Sequence, residues 1–363
     1  MLMVKPISFV KSLKLLIIKM RRISVLLLIF FVSVSCGHRV RNMFDSPIHF
    51  EKPHQTYAIK GDLLGLGAER PFQVTGMSIC DSLMILKGRL PNSLSQLYIF
   101  SLADNSFKGH YITKGRGPGE LLSPIIKTQL ASRNNLLYIF DLSLCSAYAF
   151  DWQKSIRERQ TELDKLLVLP PGTIDSYPVG DGHIVFIPKE DSYTCSLLEE
   201  SGNEIKQIPI FPYTSGVSFA DKLSSASLVC QDREVLVMAM CMFPQINILD
   251  LKTEKRISIA VSRGYKSWKN TLTQSYDEGH CYYTYITQST DGFMALYYGV
   301  PFQDFIQQSI VPHIHVFDWD GNFLYDVQVQ ENLKVIAAGD GKVLYGVDEN
   351  DDVYRYDLSS LNR

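Results

Sequence analysis

A polar turn placed directly before a short apolar run recurs six times in this chain, and that recurrence constrains the fold more than any single motif. The turns are Asp81-Ser82, Asn134-Asn135, Asp181-Gly182, Asp232-Arg233, Asp291-Gly292 and Asp340-Gly341. They precede runs such as Leu83-Met84-Ile85-Leu86, Ile184-Val185-Phe186-Ile187 and Phe293-Met294-Ala295-Leu296, at intervals of 47–59 residues. Asp-Gly and Asn-Asn tolerate the left-handed backbone that a tight hairpin demands. A period near fifty residues is that of a repeat built from one small sheet.

A second marker follows each turn in the same order. It is an apolar–polar–apolar strand end: Phe100-Ser101-Leu102, Phe150-Asp151-Trp152, the weaker Leu197-Leu198-Glu199, Leu249-Asp250-Leu251, Phe317-Asp318-Trp319 and Tyr356-Asp357-Leu358. Helical periodicity is nearly absent after Thr56. Each repeat reads as four antiparallel strands, A to D, with the first marker at the A–B hairpin and the second ending strand C. The expectation is an all-β, six-bladed β-propeller over residues 55–363, an architecture that leaves only short, protected sheet edges. A β-sandwich array or two smaller domains would not need this period. The last repeat lacks a strand D, and Gln55–Lys60 is expected to supply it and close the ring.

The N-terminal region has another character. The first 35 residues hold six basic residues and no acid; the remainder holds 30 Lys+Arg against 38 Asp+Glu, about −8. An acidic chain disfavours nucleic acid as a partner. Arg21-Arg22 precedes the apolar stretch Ile23–Val34, too short for a comfortable transmembrane helix but suited to a signal peptide over residues 1–35, with Met20 as a natural start. Ser33-Val34-Ser35-Cys36-Gly37 resembles the lipobox of bacterial lipoproteins, although Ser33 stands where leucine is usual. That resemblance implies lipidation at Cys36, a linker over 36–54 and a membrane attachment through lipid. In Bacteroidetes-type lipoproteins an acidic run after the cysteine resembles a surface-export tag; Gly37-His38-Arg39-Val40-Arg41 is basic instead, so the same resemblance implies the periplasmic side and an outer-membrane anchor. The six other cysteines form no CxxC motif and are expected as free thiols in cores.

Lys114-Gly115-Arg116-Gly117-Pro118-Gly119-Glu120 breaks any helix or ladder, because glycine favours positive φ and proline lacks an N–H. Gly115-x-Gly117-Pro118-Gly119-Glu120 matches the signature of the TolB-like six-bladed propeller lipoproteins of Bacteroidetes-type envelopes, in the same place after the first blade. The resemblance covers roughly Tyr57 to the C-terminus. It implies a fold and a compartment and little about activity. Read from its residues, the loop lacks the Gly-Lys-Ser/Thr ending of a P-loop, and a structural role with Glu120 accepting bonds from its own loop is expected.

In such blades the D–A and B–C connections share one face of the disc, and the long ones here belong to it: 114–120, 211–224, 261–281 and the B–C link 299–312. The other face is expected to carry short turns. Long loops on a rigid scaffold are where function concentrates. Candidate ligand contacts are Lys114, Arg116, Arg263, Tyr265, Lys266, Trp268, Tyr276, His280 and Phe302, cationic and aromatic groups suited to sugars or anions. His313 and His315 share one strand face, but two ligands fall short of a zinc site, so ordinary strand histidines are expected. The acid-rich Asp348–Asp352 lacks EF-hand spacing and reads as a solvated loop. No nucleophile elbow or catalytic constellation occurs. The leading expectation is a monomeric, lipid-anchored binding module for an envelope protein or glycan, without cofactor. The rival is a hydrolase or lactonase with carboxylates and calcium at the central channel.

Overall fold

The structure is a computed structural model that describes residues 43–130, 133–180, 182–189, 192–211, 223–262, 271–272, 274–275, 278–307, 309–339 and 342–361. Six antiparallel sheets follow one another along the chain, each meandering outward from an inner strand A. Blade one runs Phe72–Cys80, Leu83–Arg89, Ser95–Ser101 and Phe107–Lys114. Blade five, the tallest, runs His280–Ser289, Gly292–Pro301, His313–Asp318 and Phe323–Gln328. This is the expected all-β six-bladed propeller.

The two sequence markers have separate physical causes. At the A–B hairpin of blade one, Asp81 adopts φ 52°, the left-handed region an aspartate tolerates. At the end of strand C, the polar residue closes the C–D turn with its own carboxylate. Asp250 Oδ1 accepts from Lys252 N and Thr253 N at 2.9 and 2.8 Å, and Asp318 Oδ1 from Asp320 N and Asn322 N at 3.0 and 2.8 Å. The flanking apolar residues pack between blades, as Phe317, Trp319 and Leu249 do, all buried. In blade two the same residue does a different job. Asp151 caps the helix Trp152–Glu158, accepting from Lys154 N at 2.8 Å, so this C–D link is a helix instead of the short turn expected on that face. The expected turn Asn134-Asn135 is not one: both residues lie inside strand B, Arg133–Asp141, whose first residue already pairs with Leu130 of strand A.

The N-terminal segment does more than close the ring. Strand β1, Ile48–Phe50, adds in parallel to strand D of blade four; β2, Gln55–Ala58, adds in parallel to strand D of blade five; β3, Asp62–Leu64, pairs antiparallel with strand C of blade six. Closure by an N-terminal strand therefore holds, but the strand is Asp62–Leu64, and Gln55–Lys60 belongs to the neighbouring blade. The chain passes the fifth edge before reaching the sixth, and Ile59 N is still bonded to Gln328 O at 2.9 Å. Phe44, fully buried beside Phe211, starts this strap, and burying such a ring contributes about 1.5–3 kcal/mol. Arg256 pins it, donating to Phe44 O at 3.2 Å, to Ile210 O at 2.9 Å and to Pro209 O, with its guanidinium 5.0 Å from the Phe44 ring centroid.

The seam between the last and first blades is tied by the acid-rich loop. Asp351 Oδ2 and Oδ1 accept from Gln73 N and Val74 N, each at 2.8 Å, and Asp351 Oδ1 also meets Lys334 Nζ at 2.7 Å. Asp352 pairs with Arg70. The expected solvated loop is thus a latch, because its carboxylate is the acceptor for two main-chain donors at the start of strand A in blade one. Among the described residues no cysteine is in a disulfide: Cys80, Cys195, Cys230 and Cys281 are buried, Cys145 and Cys241 half-buried.

Candidate functional site

Inner strands of all six blades line one central cavity of about 620 Å³. Its walls are mostly hydroxyls and small apolar groups, including Ser78, Ser227, Thr284 and Thr287. Three of the four charged groups among the lining residues, Lys87, Lys127 and Asp175, lie in the half toward the long-loop face. Lys127 of blade two pairs with Asp175 at the start of blade three, and its Nζ lies 3.2 Å from Tyr177 Oη and 4.3 Å from that ring's centroid. Tyr177 donates to Asp175 Oδ2 at 2.8 Å or to Ser227 O at 2.7 Å, which bridges blades three and four. Burial first and the Asp175 charge second hold the Tyr177 hydroxyl well above its ordinary pKa, so it stays a donor.

Lys87 reaches the same cavity from strand B of blade one, directly across from Gly76, where no side chain screens it. Burial lowers its pKa, and the Arg89 and Lys127 charges work in the same direction against the attraction of Asp141. The other carboxylate on the cavity wall, Asp81, stands in an A–B turn, at the opposite end from Asp175. Among the described residues no three His, Cys, Asp or Glu side chains converge in the channel. Lys87, Lys127, Asp175 and Tyr177 were not singled out from the sequence. The available signal was a charged residue inside an inner strand otherwise made of apolar and hydroxyl residues.

The sequence candidates scatter. Lys114 and Arg116 are exposed and sit where the outermost strand of blade one ends, at the rim and away from the channel mouth. Between them and blade two, Glu120 Oε2 accepts from Gly117 N at 2.8 Å, and a Cβ on Gly115 would come 2.0 Å from that same oxygen. Gly119, at φ +73°, packs against Thr161 of blade two. Buried Asp141 receives the chain as it crosses, accepting from Leu122 N at 2.7 Å and Ser123 N at 3.0 Å. His280 is exposed and stacks on Tyr282 at 5.8 Å; Phe302 is half-buried and opens the helix Phe302–Gln307 in the long B–C link of blade five. Arg263, Tyr265, Lys266, Trp268, Tyr276 and Cys36 lie outside the described residues.

Connections on the long-loop face keep apolar side chains in solvent. Leu94 and Leu142 do so in the B–C links of blades one and two, and Ile306 and Val311 in that of blade five, at 70%, 43%, 65% and 42% exposure. Among the described residues no helix is long and apolar enough to cross a membrane.

A family model described as TolB-like 6-blade propeller-like matches residues 51–336. No curated protein matches the chain. Among solved structures, a member of the DUF4221 family from Bacteroides vulgatus is similar with a TM-score of 0.57 at 9% identity, covering 82% of this chain and 94% of that one. A putative exported protein from Bacteroides fragilis is similar with a TM-score of 0.49 at 11% identity, covering 83% of this chain and 98% of that one. The first of these likenesses bears on the fold alone.

Proposed function

Because this chain belongs to the TolB-like six-blade propeller family, we propose that it serves as a lipid-anchored binding module of the cell envelope, taking a protein or glycan ligand on its long-loop face. The observation that carries this reading is the set of exposed apolar side chains there, Leu94, Leu142, Ile306 and Val311, on connections braced by a rigid disc. Exposed apolar surface on a stable scaffold is a cost that a ligand removes. The channel beneath supports the same reading, because its Lys127–Asp175–Tyr177 group is internally paired. The paired Ile306→Glu, Val311→Glu variant, immobilised beside the parent protein, tests it in envelope extract. A species retained by the parent and lost from the variant supports the reading; equal capture by both sinks it.

The anchor at Cys36 is a separate part of the proposal. Cys36→Ser should move the protein from the membrane to the soluble periplasmic fraction, and continued membrane retention would remove the lipid from the account. A hydrolytic role would have to use Lys127, Asp175 and Tyr177. Ester or lactone turnover abolished by Asp175→Asn would replace the binding reading with that one.

A further inference from the structure

Strands C and D of blade five bring together a set of side chains that the period-of-two reading of His313-Ile314-His315 left one ligand short. His313 and His315 project from one face of strand C, and Asp326, opposite His315 in strand D, projects beside them. One nitrogen of each histidine and one carboxylate oxygen lie within 4.8 Å of one another. His313 Nδ1 is 2.9 Å from Asp326 Oδ1, and His315 Nε2 is 4.0 Å from the same oxygen. The second separation is too long for a hydrogen bond. In a tetrahedral zinc site with metal–ligand bonds near 2.0–2.1 Å, neighbouring ligand atoms stand about 3.3 Å apart, so the two distances bracket what an ion would impose.

The surroundings fix the ligands. His315 is buried between the rings of Tyr297 and Phe323, at centroid distances of 4.2 and 4.6 Å. Its other nitrogen, Nδ1, is 3.0 Å from the hydroxyl of fully buried Tyr283, which orients the imidazole so that Nε2 faces Asp326. A metal-binding histidine is generally held this way through its second nitrogen. His313, at 41% side-chain exposure, opens the group to solvent on one side. Two imidazoles and a single carboxylate suit a zinc-class divalent ion and supply too few oxygens for calcium or magnesium.

We infer that His313, His315 and Asp326 form a binding site for one zinc-class divalent cation at the long-loop end of blade five, oriented by Tyr283. The site is independent of the proposed ligand face, and its failure would leave that reading standing. The purified full-length protein, stripped with chelator, is titrated with Zn2+ alone and separately with Co2+. One Zn2+ should bind per chain, and Co2+ should give the strong visible absorption of a four-coordinate ion. His313→Ala, at a half-buried position outside the core, and Asp326→Asn should each weaken binding at least tenfold and abolish that absorption. Tyr283→Phe, which keeps the ring and removes the orienting hydroxyl, should weaken it about 10–100-fold. Absence of stoichiometric Zn2+ binding by the parent protein, or His313→Ala binding as tightly as the parent, overturns the inference.

Discussion

Replacing Asp351 with alanine should open the ring at one place. Its carboxylate accepts two main-chain hydrogen bonds from blade one, at 2.8 Å each, and an ion pair from Lys334 at 2.7 Å. A hydrogen bond to a charged group contributes about 1.5–3 kcal/mol, and the Lys334 pair, whose lysine is partly exposed, adds at most about 1 kcal/mol. Because these terms share one carboxylate they do not sum, and the loss in Asp351→Ala is about 3 kcal/mol. For a chain of 363 residues that is a fall in Tm of about 4 °C. Asp352→Ala is the comparison. Its partner Arg70 is 39% exposed, so its loss should stay under about 1 kcal/mol, or roughly 1 °C. The difference has a pH signature. Burial pushes the Asp351 carboxyl up, but the Lys334 ammonium and the Val74 and Gln73 amides outweigh it and hold it below its ordinary 3.8. A depressed carboxylate stabilises the fold above its unfolded pKa and loses that contribution as pH falls through the folded one. The gap between parent and Asp351→Ala should therefore be constant near neutrality and close below pH 3.8. Calorimetric scans at both pH values measure it. If Asp351→Ala costs no more than Asp352→Ala, or costs the same at low pH, the latch is not the tie described.

Three further outcomes follow from the same packing. Arg256→Ala removes the donors to Phe44 O, Ile210 O and Pro209 O, so hydrogen exchange at residues 43–50 should accelerate well before the inner strands respond. Burial lowers the His183 pKa to about 4, with Nδ1 3.1 Å from the Tyr138 hydroxyl. The unfolded chain takes up that proton first, so stability falls as pH drops from about 6.5 to 4, by about 3 kcal/mol in full; His183→Gln should flatten denaturant midpoints across that window. Gly119→Ala forces a side chain into φ +73° with its Cβ 3.1 Å from Thr161 Cβ, and should cost about 1–2 kcal/mol by thermal melt, more than Gly117→Ala, where φ is not left-handed.

The repeat was legible because each marker has a local cause. An aspartate that accepts its own turn's amides, as Asp250 and Asp318 do, works the same way wherever a C–D turn occurs, so it recurs at the blade period. The strap was not legible. Ile48–Phe50, Gln55–Ala58 and Asp62–Leu64 are three or four residues long and largely exposed, carry no alternation, and acquire their partners from strands far along the chain. That is why the sequence points Gln55–Lys60 to the sixth edge, one blade past the fifth that Gln55–Ala58 joins. The acid run at 348–352 misled for a related reason: its role depends on Gln73 and Val74, which only ring closure brings near. The candidate site divides along the same line. His313 and His315 could be paired by strand period, whereas Asp326 joins them through the register between strands C and D, and Lys87 and Lys127 through which strands face the axis.

The strap also sets an order of events in folding. Phe44 must wait for Arg256, 212 residues later, and Gln73 for Asp351, 278 residues later. A chain emerging from its N-terminus first has β1, β2 and β3 in hand with no edge to join. Blades one to three can pair within themselves, but the outer edges of blades four and five stay bare until they are made and the earliest residues return to cover them. Such long-range pairing is slow, and a bare edge is a template for other chains. Whatever holds the first residues of the emerging chain out of reach of those edges therefore governs how long the nearly finished disc stays open to self-association.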